Sequence, residues 1–303
     1  MEHNIKNEII ETVLANNDDD DYEEITIEPQ FLLQLIGITP GKIIHRPSLQ
    51  NNSGAIADVL LLPTQTIIHC YSPALGCGGL AEQNTEVYVT ECNPYKKHKG
   101  HQSKCTHNLF LAVYNEGDLE EVIGVYPKIA IELVESAIEK NFLHLLQNVK
   151  QLKRDVPMVL KDKVNSKFDF CGICEDDVPF LMKVMNVTFA DYSQINPTRG
   201  GKRGYESKTA FYPENGGTVD ADLLKVIRDL TTIKNESIIR GVLCFVIQRT
   251  DVELFNPFAH DTVYTEVVKD ALAAGVIIIT IVVSWTRDGK AYFLRDDLPV
   301  HKN

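Results

Sequence analysis

The chain has 303 residues, 44% apolar and 24% charged, the balance of an ordinary globular protein and not of a disordered, collagen-like or disulfide-stapled one. Acids exceed bases by 42 to 30, for a formal charge of −12, but residues 1–30 hold ten of those acids and Lys6 as their only base. The rest carries net −3, so the acidity of the whole does not exclude a polyanionic partner. Seven cysteines (70, 77, 92, 105, 171, 174 and 244) are odd in number and irregular in spacing, which fits reduced thiols and an intracellular setting, cytoplasmic or nuclear. The start of the chain reads as neither a signal nor a transit peptide. The longest apolar run, Val276 to Val283, is far short of a bilayer span, so no membrane partner is expected.

Residues 1–28 are expected to be an acidic disordered tail, because Asp18 to Asp21 repel one another and bury nothing. Such a tail could serve as a contact for a protein partner. A β domain is expected over 29–117. Short segments at Lys42–His45, Ala57–Leu62, Thr66–Tyr71, Thr85–Thr90 and Leu109–Val113 are separated by turns at roughly ten-residue spacing, the mark of a small barrel or sandwich.

From 118 to 303 an α/β domain is expected. Ile129, Leu133, Val134, Ala137, Ile138, Phe142, Leu145 and Leu146 recur at helical spacing. A strand pair follows at Lys167–Cys171 and Pro179–Thr188. A helix over Asp220–Thr232, a buried strand Val242–Ile247, a helix over Thr262–Ala274 closed by Gly275, and the β-branched run Val276–Val283 complete the pattern. The oligomeric state is left open.

Asp169 lies on one strand, and Leu181, Lys183, Met185 and Val187 share a face of the next. Metal-dependent nucleases place an acid on one strand and an acid-x-Lys pair on its neighbour, so that two carboxylates hold Mg²⁺ and the lysine orients water. Here the pair positions are Lys183 and Met185, which leaves one carboxylate where two are needed.

Gln248-Arg249-Thr250-Asp251 after an apolar strand, Phe255-x-Pro257, Asp270-Ala271-Leu272-Ala273-Ala274-Gly275-Val276 and Leu298-Pro299-Val300 together resemble the C-terminal half of the sugar fermentation stimulation proteins. Ala57-Asp58-Val59, His69-Cys70, Ser166-Lys167-Phe168-Asp169-Phe170, Asn186-Val187-Thr188 and Tyr212-Pro213 follow in family order. The resemblance implies an OB-like barrel joined to a restriction-endonuclease-like α/β domain, with DNA binding as the family activity. Its metal-site acids would fall on Asp155, on Asp169 and on position 183, where the Glu-x-Lys motif has become Lys183 and Met185. Other site positions depart as well, at Ser72-Pro73-Ala74, Tyr126-Pro127, Ile131-Glu132 and Gly216-Gly217-Thr218-Val219. The expectation is a member that kept the fold and lost metal-dependent catalysis. No cofactor is then needed; Mg²⁺ would enter only if Asp155 or Glu175 completed a rearranged nuclease site.

Two basic segments could hold a nucleic acid. Lys96, Lys97, Lys99 and Lys104 lie together with Tyr95 as a stacking ring, and Arg199, Lys202 and Arg203 are interleaved with glycines. Cys92, His98, His101, Cys105 and His107 lack the paired spacing of a zinc site, and Cys171-x2-Cys174 reads as packed thiols, so no metal is expected. Gln248, Arg249 and Asp251 could line a site, the alternative for Arg249 and Asp251 being an internal ion pair that fixes the strand exit. A purely structural role in a larger assembly is the remaining reading.

Overall fold

The computed structural model describes residues 29–51, 53–72, 80–92, 105–160, 163–192, 208–213, 219–258 and 261–301, so the acidic segment and both basic loops lie outside the described residues. The first strand, β1 (Gln30–Gln34), pairs antiparallel with β16 (Lys290–Arg295) and so belongs to the C-terminal sheet. The next five strands, β2 (Thr39–His45), β3 (Ile56–Leu61), β4 (Ile67–Tyr71), β5 (Glu86–Glu91) and β6 (His107–Glu116), close a barrel. They run in the circuit β2-β3-β4-β6-β5 and back to β2, and the parallel contact of Cys70 with His107 and Tyr71 with Asn108 seals it. Alternation sends Ile43, Ala57, Val59, Cys70, Val87, Val89 and Leu109 inward, where they are buried. β7 (Leu119–Gly124) turns back on β6, so a division at 117 falls in a hairpin turn and the barrel sheet runs on to Gly124.

A seven-stranded mixed sheet follows, in the order β1-β16-β15-β13-β10-β9-β8. Its members are β8 (Gln151–Leu160), β9 (Val164–Ile173), β10 (Pro179–Val187), β13 (Arg240–Ile247), β15 (Ile277–Trp285) and the two terminal strands. The centre, β10-β13-β15, is parallel, and β13 is buried on both faces, which is why GVLCFVI reads as a continuous apolar run. Val242, Cys244 and Val246 meet α1 (Ile129–Glu139) and the barrel residues Leu111 and Val113, whereas Leu243, Phe245 and Ile247 meet α2 (Ala221–Glu236) and α3 (Thr262–Ala273). A small sheet of β11 (Ala190–Tyr192), β12 (Lys208–Phe211) and β14 (Val252–Asn256) lies alongside.

α1 is shorter than its apolar spacing suggests. Asn141 takes a left-handed φ of 60°, a conformation asparagine tolerates better than most residues, and ends it. Phe142 and Leu146 still reach the same core from the turns beyond, while Leu145 is exposed. β8 carries Lys153, Arg154, Asp155 and Pro157 because it is the outer edge of the sheet, where charge and proline discourage pairing with another chain.

The turns after α1 are tied to the end of β16 by buried Asp296, which accepts from His144 N–H at 2.7 Å and contacts its ring Nδ1. That hydrogen bond and the Asp296 charge raise the His144 pKa above the ordinary imidazole value. The stability this pair contributes is therefore complete below about pH 6.5 and is lost as pH rises through the elevated folded-state value. His144 is mostly exposed, which limits the effect to about 1 kcal/mol, or roughly 2–4 °C. The thermal midpoint of the wild type minus that of His144→Gln should shrink between about pH 6 and 9. A constant difference would remove the pair as its cause.

Candidate functional site

The antiparallel ladder of β9 and β10 runs only as far as Phe170 opposite Met182, and then the strands part. Asp169 fills the gap: its carboxylate accepts the Val184 N–H at 2.7 Å, a group the departing strand leaves without a ladder partner. Lys183 Nζ lies 2.9 and 3.1 Å from the two oxygens of the same carboxylate, with both side chains largely buried. Met185, two residues on, packs in the core with Leu181, Val187 and Phe245. Asp155 sits on β8 at a left-handed φ of 56°, exposed and ion-paired with Lys167 at 2.7 Å. Lys167 first, and more weakly Arg154 and Lys183, hold its carboxyl below the ordinary range. Asp155, Asp169, Lys183 and Met185, the positions at which a metal site is expected from the sequence resemblance, thus lie around one parting of strands, with a lysine ammonium on the Asp169 carboxylate. Among the described residues no three Asp, Glu, His or Cys side chains form a metal-binding group. Glu175 lies away in the β9–β10 turn, where it accepts from Asn148 Nδ2 at 2.5 Å.

Gln248, Arg249 and Asp251 leave β13 at the junction with the barrel, and all three are used internally. Gln248 is fully buried; its Oε1 accepts from Trp285 Nε1 at 3.0 Å and its amide nitrogen contacts Asn186. Its carbonyl accepts the N–H of Gly124, a position where any Cβ would stand 2.0 Å from Gln248 Oε1. Arg249 makes a two-pronged contact with Asp251 at 2.6 and 2.7 Å and donates to the Thr188 carbonyl at 3.0 Å. Burial alone would raise the Asp251 carboxyl, but Arg249 and then Lys208 outweigh it and hold the group below the ordinary range.

Sequence patterns did not single out Lys208. It is 6% exposed, bridges Asp251 at 2.9 Å and Glu116 of the barrel, and lies 4.6 Å from the centre of the Tyr114 ring. Burial opposes its charge, yet the hydrogen bonds to Glu116 and Asp251 prevail and raise its pKa. Glu121 on β7 was also missed; it accepts from Thr250 N at 2.6 Å, and burial raises its pKa despite those bonds. One lysine in a polar stretch has no period that could mark it.

The basic loop 93–104 lies outside the described residues, but its roots do not. Cys92 N–H donates to Thr106 O at 2.8 Å, and Thr106 N–H donates to His69 O on β4 at 3.0 Å. The second basic segment, with Arg199, Lys202 and Arg203, leaves from β11 and returns at β12, next to Lys208. Tyr95, His98 and His101 lie outside the described residues, as does Cys77; the six described cysteines, Cys171 and Cys174 among them, are free thiols. Tyr126 stacks on Phe110 at 4.5 Å just before α1.

Residues 128–289, more than half of the chain, match the family model described as the sugar fermentation stimulation protein RE domain. Among curated proteins, the sugar fermentation stimulation protein homologs of Shewanella sp. (strain MR-7) and of Magnetococcus marinus are each 24% identical over 244 residues, covering 80% of this chain and 88% of the relative. Among solved structures, Pyrococcus furiosus SfsA in complex with Ca²⁺ superposes with a TM-score of 0.66 at 17% identity, covering 90% of this chain and 100% of that one. The closed barrel followed by a layered α/β sheet is thus shared along almost the whole chain, and the protein belongs to the sugar fermentation stimulation protein family.

Proposed function

We propose that this protein is a catalytically degenerate member of the family, an OB-like barrel on a restriction-endonuclease-like domain, that binds nucleic acid, DNA in the first instance. The observation that carries the reading is the ammonium of Lys183 on the carboxylate of Asp169. Mg²⁺ and Ca²⁺ require several oxygen donors. Here one carboxylate is already bonded to a lysine and a backbone N–H, Asp155 is paired with Lys167, and position 185 supplies only a buried thioether. A divalent ion 4 Å from an ammonium meets roughly 8 kcal/mol of repulsion at an effective dielectric of 20. The donor set therefore does not suit the Ca²⁺ named for the Pyrococcus protein, and no step through a metal follows. Asp155 and Glu175, the acids that could complete a rearranged nuclease site, are both engaged elsewhere.

Binding is carried by charge. Lys96, Lys97, Lys99 and Lys104, with Tyr95, lie in the loop that joins β5 to β6, which in barrels of this kind flanks the oligonucleotide face. Arg199, Lys202 and Arg203 lie in the loop between β11 and β12. The expected result is no cleavage of DNA above background in Mg²⁺ or Mn²⁺, together with binding that weakens with salt. Log affinity for a single strand falls by about 0.7 per contacted phosphate for each unit of log salt, so changing Lys96, Lys97 and Lys99 to Gln should flatten the slope by about two units. Cleavage abolished by Asp169→Ala would overturn the degenerate reading. Absence of binding at low salt would overturn the nucleic-acid reading and favour a structural role with a protein partner.

A further inference from the structure

Three thiols gather at one rim of the barrel, where β4, β5 and β6 meet. Cys70 on β4 lies beside His107, the first residue of β6, and Glu91, the last residue of β5, lies across from the same His107. Cys92 N–H donates to Thr106 O at 2.8 Å, so Cys92 stands opposite Thr106 and Cys105 is one step further along. With strands about 4.8 Å apart and a rise of about 3.4 Å per residue, that diagonal sets the two Cα atoms about 6 Å apart. A disulfide bridges Cα separations of roughly 4.4–6.8 Å. Alternation within a strand would turn such neighbours to opposite faces, but neither cysteine belongs to a strand: β5 ends at Glu91, β6 starts at His107, and the chain bends at Thr106. Cys70 is the poorer partner. It pairs with His107 in a parallel ladder and so stands two steps from Cys105, about 8 Å by the same arithmetic, while β6 separates it from Cys92.

Exposure sets the order of the chemistry. Cys92 is half-buried, Cys105 is 8% exposed and Cys70 is fully buried. Burial lifts the pKa of Cys92 and Cys105, and the closeness of Cys92 lifts Cys105 further. Thiols of this kind are mostly protonated and slow at neutral pH, so the resting protein is reduced. Hydrogen peroxide reaches Cys92 first. Its thiolate attacks one peroxide oxygen, the O–O bond breaks, and the departing hydroxide takes up the proton that the thiol released. The sulfenic acid left on Cys92 is then attacked at sulfur by the Cys105 thiolate, whose proton goes to the departing hydroxyl. Two thiols and one peroxide thus give one disulfide and two waters. We propose that Cys92 and Cys105 form a reversible disulfide under peroxide, a redox clasp that ties the end of β5 to the start of β6. Its place gives it leverage, because the barrel is sealed at this rim by the parallel pairs of Cys70 with His107 and Tyr71 with Asn108.

The test is treatment of the full chain with hydrogen peroxide, blocking of the remaining thiols, and digestion with trypsin and a glutamate-specific protease. Cleavage after Glu91 and Lys96 isolates Cys92 in residues 92–96, and cleavage after Lys104 and Glu116 isolates Cys105 in residues 105–116, while Cys70 and Cys77 stay in another fragment. The two short peptides should appear joined, lighter than their sum by two hydrogens, and dithiothreitol should part them. Oxidation should raise the thermal midpoint by about 5–10 °C, since the link restricts the unfolded chain. Cys105→Ala should abolish both the joined peptide and the rise, and leave on Cys92 a sulfenic acid that dimedone traps. Cys105 joined to Cys70 or Cys77 in the wild type would overturn the clasp. So would a wild type whose Cys92 survives peroxide unchanged or passes to the sulfinic acid without a link, and so would a joined peptide with no rise in the midpoint.

Discussion

Replacing Lys208 by methionine is expected to remove about 3–5 kcal/mol of stability, a large part of the 5–15 kcal/mol typical of a folded domain. Methionine keeps the length and apolar stem of the side chain, so the packing under Tyr114 survives and the charge alone is lost. Asp251 would retain both prongs of Arg249, at 2.6 and 2.7 Å. Glu116 would lose its ion-pair partner at the seam between barrel and sheet, and the cost is placed there. Urea unfolding at neutral pH measures the effect. Glu116→Gln added to Lys208→Met should recover part of the loss, since the carboxylate that faced the ammonium is then neutral. A change below about 1 kcal/mol in the single variant would mean that the seam is wet and the network contributes as little as a surface pair.

The second large effect is at Asp169. Lys183→Glu should set two carboxylates against each other and cost about 3 kcal/mol near neutral pH, the low end for breaking a buried pair because both side chains keep some exposure to water. The same change supplies the second oxygen ligand that a divalent ion needs. Ca²⁺ at a hundred times its dissociation constant should then return about 2.7 kcal/mol, seen as a rise in thermal midpoint that Mg²⁺ also produces and Na⁺ at equal ionic strength does not. The wild type should not respond, because Lys183 already neutralises the carboxylate. Stabilisation of the wild type by Ca²⁺ to the same degree would show that the lysine moves aside and that the metal reading belongs to this chain after all. Nuclease activity is not expected from Lys183→Glu, since Met185 next to it on the same face offers a buried thioether and no ammonium to orient water.

The barrel strands were legible because short apolar segments recur between turns at roughly ten-residue spacing; the expected segment Ala57–Leu62 is β3 within one residue at either end. The central strand β13 and helix α3 were legible for the opposite reason, continuous burial in one and the closing Gly275, at a φ of 91°, in the other; the structure adds Asp261 as the N-terminal cap. Strands on sheet edges were not legible. β1 and β8 carry mixed, polar sequences because one side of each meets water, and periodicity weakens there. β16 was missed although it is not an edge, because Lys290 to Arg295 gains its meaning only by pairing with β15 and with residues 30–34 at the other end of the chain.

At the site, residue order along the chain was enough to read Asp169 on one strand and Lys183 and Met185 on one face of the next; that these stand where a nuclease has an acid and a lysine is what the resemblance implies. What the lysine does was decided by the fold: the parting of β9 from β10 after Phe170 leaves room for Lys183 to reach Asp169 and frees the Val184 N–H to bind it. The same holds for Gln248, Arg249 and Asp251, which as a tetrapeptide fit a ligand site or an internal anchor equally well and are fully engaged only because Trp285, Thr188 and Lys208 arrive from elsewhere in the chain. Local pattern thus determined which segments become strands and helices, since propensity and alternation act over a few residues. Partners for buried charge were decided by tertiary structure alone, because the residues that meet at Lys208 are separated by up to 135 positions, Glu116 to Asp251, and nothing local encodes their approach.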